Sequence, residues 1–185
     1  MQQSRLFSVI LALFAFSLFA YATPVASKEV LESRGGDPLT VILNLFLDLK
    51  VKIDVIIAAL VKLDVKADIS VLVGQIVVLI QACVTAIINV GVVVDLSDKD
   101  KITAIATVCA QIIVNLQACI TVFASILVNV LAVVNLDIVL QALLLQLNVC
   151  ISGILVIIAP LCVSLTAVVN LSLTLVISVL GLLSL

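Results

Sequence analysis

The chain contains no histidine and no tryptophan, and it has a single tyrosine. Without histidine, a serine or cysteine nucleophile has lost its commonest proton acceptor. Zinc sites lose their usual nitrogen ligand for the same reason, and no Cys-x-x-Cys pair offers a sulfur alternative. No glycine-rich phosphate loop is present either. Neither a catalytic residue, nor a metal, nor a cofactor is therefore expected, no small-molecule substrate can be named, and the chain does not read as an enzyme. Two carboxylate pairs have acid–base spacing, Asp48 with Asp54 and Asp95 with Asp98. Both lie in lysine-interleaved segments and read as solvated faces.

Charge is the next scarcity. Only 11% of residues are charged, and beyond Lys101 the sole charged residue is Asp137. Ordinary soluble domains carry about 25%. No basic cluster exists to meet phosphates, which excludes nucleic acid as a partner.

What fills the chain instead is Val, Ile, Leu and Ala: 65% of its 185 residues are apolar. A globule of this size hides roughly two thirds of its unfolded surface. It cannot hide all of these side chains, so an apolar exterior is expected. Such an exterior marks a membrane, an interface or further copies of the chain.

The first 22 residues read as a secretory signal peptide. Arg5 supplies the positive start, residues 6–20 form a short apolar core, and Ala20-Tyr21-Ala22 places small residues for cleavage. The alternative is an uncleaved anchor. Residues 23–38 are a polar lead-in ending in Gly35-Gly36-Asp37-Pro38, with a propeptide cleavage site near Arg34 as an option. Asp37-Pro38 has the chemistry of a helix start, a cap followed by proline at the first helical position.

Residues 39–185 read as one hydrophobic helical domain. The stretch 39–67 is ambiguous, because Asp48, Lys50, Lys52 and Asp54 alternate with period 2 yet also make i,i+4 pairs. Nearly thirty residues without a turn signal exceed a typical strand, which favours a helix. Residues 69–94 contain no charge. As a helix they are about 39 Å long, enough to cross a hydrocarbon layer of about 30 Å. Gly74, Gln75, Gln81, Thr85 and Asn89 trace one thin neutral stripe along them.

That stretch has an echo 36 residues later: QIVVLIQACVTAI at 75–87 matches QIIVNLQACITVF at 111–123 in seven of thirteen positions. Helices are expected at about 39–67, 69–94, 102–134, 138–159 and 161–184. The breaks fall at Asp95–Lys101, at Asn135–Asp137 and at Pro160. The fold class is all-α, an antiparallel array or bundle of about five helices carrying a 36-residue repeat. Asp137 reads as an N-cap at its turn. Within a bilayer it would instead be a functional ionisable group. The glycosylation sequon at Asn170 falls inside an apolar helix and is expected to be unused.

Five isolated cysteines follow the leader. Folding the chain near residue 96 places Cys83 opposite Cys109. Folding it near 134–135 places Cys119 opposite Cys150. Two bridges, Cys83–Cys109 and Cys119–Cys150, are expected, with Cys162 unpaired. Cys150–Cys162 across Pro160 is the competing pairing, and five free buried thiols are the reduced alternative.

The leader ending in Ala-Tyr-Ala, the short polar lead-in and the long Val/Ile/Leu-rich region resemble small secreted hydrophobic proteins of filamentous fungi. Gln-x5-Gln-Ala-Cys-x-Thr at 75–85 and 111–121 is the most specific local pattern. The resembling proteins include cell-wall and aerial-hypha proteins that act beside the hydrophobins. The chain is not itself a hydrophobin, whose adjacent cysteine pairs it lacks. The resemblance implies wall association, surface coating, and support of hyphal emergence or attachment.

Three functions compete. The first is a secreted, non-enzymatic, surface-active or wall-associated structural protein, partnered by itself or by an apolar interface or lipid. The second is a multi-pass membrane protein with three or four spans. The third is a carrier of an apolar ligand.

Overall fold

A computed structural model describes residues 37–60, 66–93, 95–123, 130–163 and 173–181. The expected signal peptide, the lead-in before Asp37 and the Asn170 sequon lie outside the described residues. Among those described, the chain is all-α, with no strand. The helices are α1 (Pro38–Leu60), α2 (Lys66–Val90), α3 (Lys99–Phe123), α4 (Val130–Cys150), α5 (Ile154–Leu161) and α6 (Thr174–Val179).

Helix α1 starts where local chemistry dictates. The Asp37 carboxylate accepts a hydrogen bond from the Leu39 N–H at 3.2 Å and one from the Thr40 hydroxyl at 2.9 Å. Pro38 follows at the first helical position, where its missing N–H costs nothing. The period-2 charge pattern resolves into helical ion pairs, Lys52 with Asp48 and Lys50 with Asp54.

The two first helices bury narrow seams. Leu39, Ile42, Phe46, Leu49, Ile53, Ile56 and Leu60 are buried along α1. Ile69, Val73, Ile76, Ile80, Cys83 and Ile87 are buried along α2. Both sets alternate three- and four-residue steps, the spacing of a coiled-coil seam. Val and Ile are middling helix formers. Burying each such side chain contributes about 1.5–3 kcal/mol, which outweighs a propensity loss of about half a kcal/mol.

Helix order across the array differs from chain order. Helix α1 packs on α2 and on α3, α2 packs on α4, and α5 packs on both α3 and α4. The side-by-side order is thus α3, α1, α2, α4. Polar contacts give the directions. Lys101 at the start of α3 donates to Asp37 at the start of α1, and Asn115 donates to Asp54 farther along, so α1 and α3 run parallel. The Val93 N–H donates to the Cys150 carbonyl at 2.9 Å, so α2 and α4 end together and are parallel too. The expectation that chain neighbours α2 and α3 pack as a hairpin is corrected here. The segment joining them is long enough to carry α3 past α2 to the far side of α1.

Two helix breaks also differ from expectation. The expected break at Asn135–Asp137 is absent, because α4 runs unbroken through those residues. The break expected at Pro160 falls within one residue of the end of α5 at Leu161, and a further break that was not expected lies at Ser152-Gly153, where Gly153 takes a left-handed φ of 82°. Pro160 sits in the last turn of α5. The turn before α3 holds where expected. Asp95 accepts the Ser97 N–H and Asp98 accepts the Lys101 N–H, capping α3.

Candidate functional site

The neutral polar stripe of α2 faces outward. Gly74, Gln81, Ala82, Thr85 and Asn89 are exposed, interleaved with exposed Val71, Val78 and Ile88. On α3, Thr103, Gln111 and Ala118 are exposed as well. The threonines do not reach across to other helices. Thr85 donates to the Gln81 carbonyl at 3.0 Å, and Thr107 to the Thr103 carbonyl at 2.8 Å, each one turn back on its own helix. Such back-bonding satisfies the hydroxyl without a partner helix. The α2 stripe is therefore a thin wetted face among apolar side chains, and the Thr85 and Thr107 hydroxyls are not interhelical glue, whereas Asn115 on α3 does bond across to Asp54 on α1.

The two sequence copies behave alike at most positions. Ile76 and Ile112 are buried, as are Ile80 and Leu116, while Thr85 and Thr121 are exposed. They part at Gln81, which is exposed, and Gln117, which is buried. The Gln117 side-chain N–H donates to Thr121 at 3.1 Å, while its Oε1 has no hydrogen-bond partner among the described residues. An unsatisfied buried acceptor costs about 1–3 kcal/mol. Gln117→Met is accordingly expected to leave stability unchanged or raise it by about 1 kcal/mol. Denaturant titration checks this, and a loss above about 2 kcal/mol would mean that Oε1 is satisfied.

Charge concentrates on α1 and at the starts of α2, with Lys66 and Asp68, and of α3. Asp48, Lys50, Lys52 and Asp54 line α1, and Asp95, Asp98, Lys99, Asp100 and Lys101 cluster at the end where α1 and α3 begin. The carboxylates weighed as acid–base pairs are all engaged: Asp48 and Asp54 in ion pairs, Asp95 and Asp98 in backbone caps. At the shared end, Lys101 pairs with both Asp37 and Asp98, at 2.8 and 3.0 Å. The hydrogen bond from Lys101, helped by those from Thr40 and the Leu39 N–H, holds the Asp37 carboxyl down at about 2 against the opposing push of desolvation.

A depressed carboxylate contributes stability that is complete above its ordinary value of 3.8 and lost as pH falls through about 2. Solvent screening at this exposed site limits the contribution to less than about 1 kcal/mol. Asp37→Asn keeps a good capping side chain and removes only the charge. The variant is expected to be slightly less stable than the parent at neutral pH and equal to it below about pH 2, as followed by thermal unfolding across pH.

Helices α4 and α5 expose no charge, although α1 too has exposed apolar side chains, Leu47, Val51 and Val55. Helix α2 stands between α4 and the charged α1. Val134, Ile138, Leu145 and Val149 are exposed along α4, and Val156, Leu161 and Val163 along and after α5. Val156 is 78% exposed. No charged side chain lies among them, because the one charged residue of this half, Asp137, is 4% exposed.

Asp137 plays a structural part different from the N-cap expected of it. It does not cap its own helix. Its carboxylate accepts the Leu175 N–H at 2.9 Å, the Val176 N–H at 3.1 Å and the Thr174 hydroxyl at 3.4 Å. It thus caps α6 from α4. Thr174 itself was the available signal, as a hydroxyl residue opening a late helix with no local acid to cap it.

All five cysteines are free thiols. Neither expected bridge is formed, and helix order explains why. Helix α3 lies beside α1 and α5, not beside α2 or α4, so Cys109 and Cys119 do not face the hairpin partners assigned to them. Cys150 instead donates its S–H to the Gly91 carbonyl. Burial pushes the Cys83 thiol up to about 12, with help from the nearby Asp48 charge, and burial alone pushes Cys119 up to about 11. No group of three His, Cys, Asp or Glu side chains among the described residues has metal-binding geometry.

The fold and this surface define a class: an all-α protein with charges on α1 and at the starts of α2 and α3, and an uncharged, apolar outer face on α4 and α5. Comparison with known protein families, curated proteins and solved structures returns no match.

Proposed function

We propose that the chain is a secreted, non-enzymatic structural protein that coats or self-assembles at apolar interfaces, in or on a cell wall. One observation carries this reading, the concentration of charge on α1, at the start of α2 and in the 95–101 turn, with none exposed among the Val, Ile and Leu of α4 and α5. A two-faced array lowers its free energy by lying with the α4–α5 side in the apolar phase and α1 in water. The ion-paired α1 face keeps one side hydrated while the other is covered. The signal peptide and the resemblance to secreted hydrophobic fungal proteins support export.

A second reading has an observation of its own. Val71–Val90 and Lys99–Thr121 are long and apolar enough to cross a membrane, and the first of these is only 28% buried inside the protein. Fractionation separates the two. Culture medium and wall extract are compared with carbonate-washed, detergent-solubilised membranes. Recovery from medium or wall is the expected outcome. Recovery only from carbonate-resistant membranes overturns the proposal.

A further inference from the structure

Cys109 and Cys162 are both fully buried in the single apolar core. Cys109 lies mid-way along α3, and Cys162 caps the C-terminus of α5, donating its N–H to the Ile158 and Ala159 carbonyls. A disulfide needs Cα atoms about 4.4–6.8 Å apart, which only directly packed elements supply. Helices α3 and α5 bring Cα atoms within 8 Å of one another along a shared seam, whereas α2 and α3 form no such seam.

We infer that Cys109 and Cys162 are the pair that oxidises, forming a single bridge that ties α5 to α3. The other three cysteines are otherwise placed. Cys150 is turned to the Gly91 carbonyl, Cys119 is half-buried elsewhere on α3, and Cys83 sits on α2 near Asp48. Cys162, and after it Cys83, lies within electrostatic reach of the Cys109 sulfur. That the pair oxidises rests on the export proposed above, because a reducing compartment keeps thiols free, whereas the choice of pair rests on the fold alone.

The reaction needs an oxidant, a small-molecule disulfide such as oxidised glutathione. One cysteine thiolate attacks it, forming a mixed disulfide and releasing one thiol. The second thiolate then attacks the protein sulfur of that mixed disulfide and releases the other thiol. Two electrons and two protons pass from the protein to the oxidant. In the folded protein burial raises both thiols, Cys162 to about 11, so thiolate is scarce and the bridge forms before the core closes.

The experiment folds the full mature chain in a glutathione redox buffer and confirms helicity by circular dichroism. The product is then unfolded without reductant, alkylated and peptide-mapped. Three alkylated thiols and a Cys109–Cys162 cross-link are expected out of five cysteines. Reduction is expected to lower the unfolding temperature by roughly 10 °C. Cys162→Ala is expected to abolish the cross-link, and Cys83→Ala to leave it intact, so a folding defect in one variant does not decide the matter. Five alkylated thiols in the helical product overturn the inference. So does a Cys83–Cys109, Cys119–Cys150 or Cys150–Cys162 cross-link in place of the expected one.

Discussion

Replacing Asp137 with alanine is expected to release α6 from the array and to lower stability by about 3 kcal/mol. The carboxylate is 4% exposed and accepts three hydrogen bonds from the first turn of α6. That helix has only six residues and no side-chain cap of its own. Helices so short do not persist without outside support. Losing the acceptor leaves two backbone N–H groups unpaired, one of them in buried Val176, at about 1–3 kcal/mol each. Amide exchange at Leu175 and Val176 should quicken by about 100-fold, since each 1.4 kcal/mol is tenfold. The Asp137→Asn variant keeps one oxygen acceptor in its amide side chain and should lie between the alanine variant and the parent. Unchanged exchange at those two amides in Asp137→Ala would show that the contact does not hold α6.

The second large effect concerns the apolar face. Leu145→Asp combined with Val156→Asp places two charges on the exposed side of α4 and α5, where neither side chain supports the core. Both parent residues are substantially exposed, Leu145 at 48% and Val156 at 78%. Folding stability should change by less than about 1 kcal/mol, as for ordinary surface substitutions. Interfacial affinity should fall by at least about 100-fold. Each substitution forfeits about 1 kcal/mol of apolar transfer and adds the cost of bringing a carboxylate to an apolar phase. Val51→Asp on α1 is the control. Val51 is 63% exposed but stands on the ion-paired helix, so adsorption should hardly change. Adsorption isotherms at an oil–water or air–water surface read all three proteins. Equal losses from the α1 and α4–α5 substitutions would refute the two-faced arrangement.

Parts of this structure are legible from local chemistry alone. Asp37-Pro38 announces α1, and Asp95 to Lys101 announces the turn before α3, because caps and turns use residues close in sequence. The i,i+4 pairs of Asp48, Lys50, Lys52 and Asp54 distinguish helix from strand once length is considered. Helix order is not legible in the same way. A helix that is apolar nearly all round does not reveal which side meets a neighbour. Thus α3 reads as the partner of α2 although it packs beside α1, and cysteine pairings built on that hairpin inherit the error.

Asp137 shows the same limit from the polar side. Its cap acts between residues 38 positions apart, on the Leu175 N–H, and nothing near it in the sequence points there. Ser152-Gly153 is different. That dipeptide is a turn signal, and it adds a break to the one at Pro160, where α5 ends one residue later. As for the face formed by α4 and α5, its composition is visible in the sequence, but its exposure requires knowing that α2 and not α1 covers the inner side of α4.

The orientation of the helices at a lipid surface tests the central claim most directly. The charged and apolar faces run along the length of the helices, so adsorption should lay the helix axes in the plane of the surface. A spanning bundle holds its axes within about 40° of the bilayer normal. Polarised infrared dichroism of the amide I band, measured on the mature protein bound to an oriented supported bilayer, separates the two geometries. The two-faced arrangement predicts axes parallel to the membrane plane. Axes close to the normal, with the amides of Val71–Val90 and Lys99–Thr121 shielded from exchange, would contradict it.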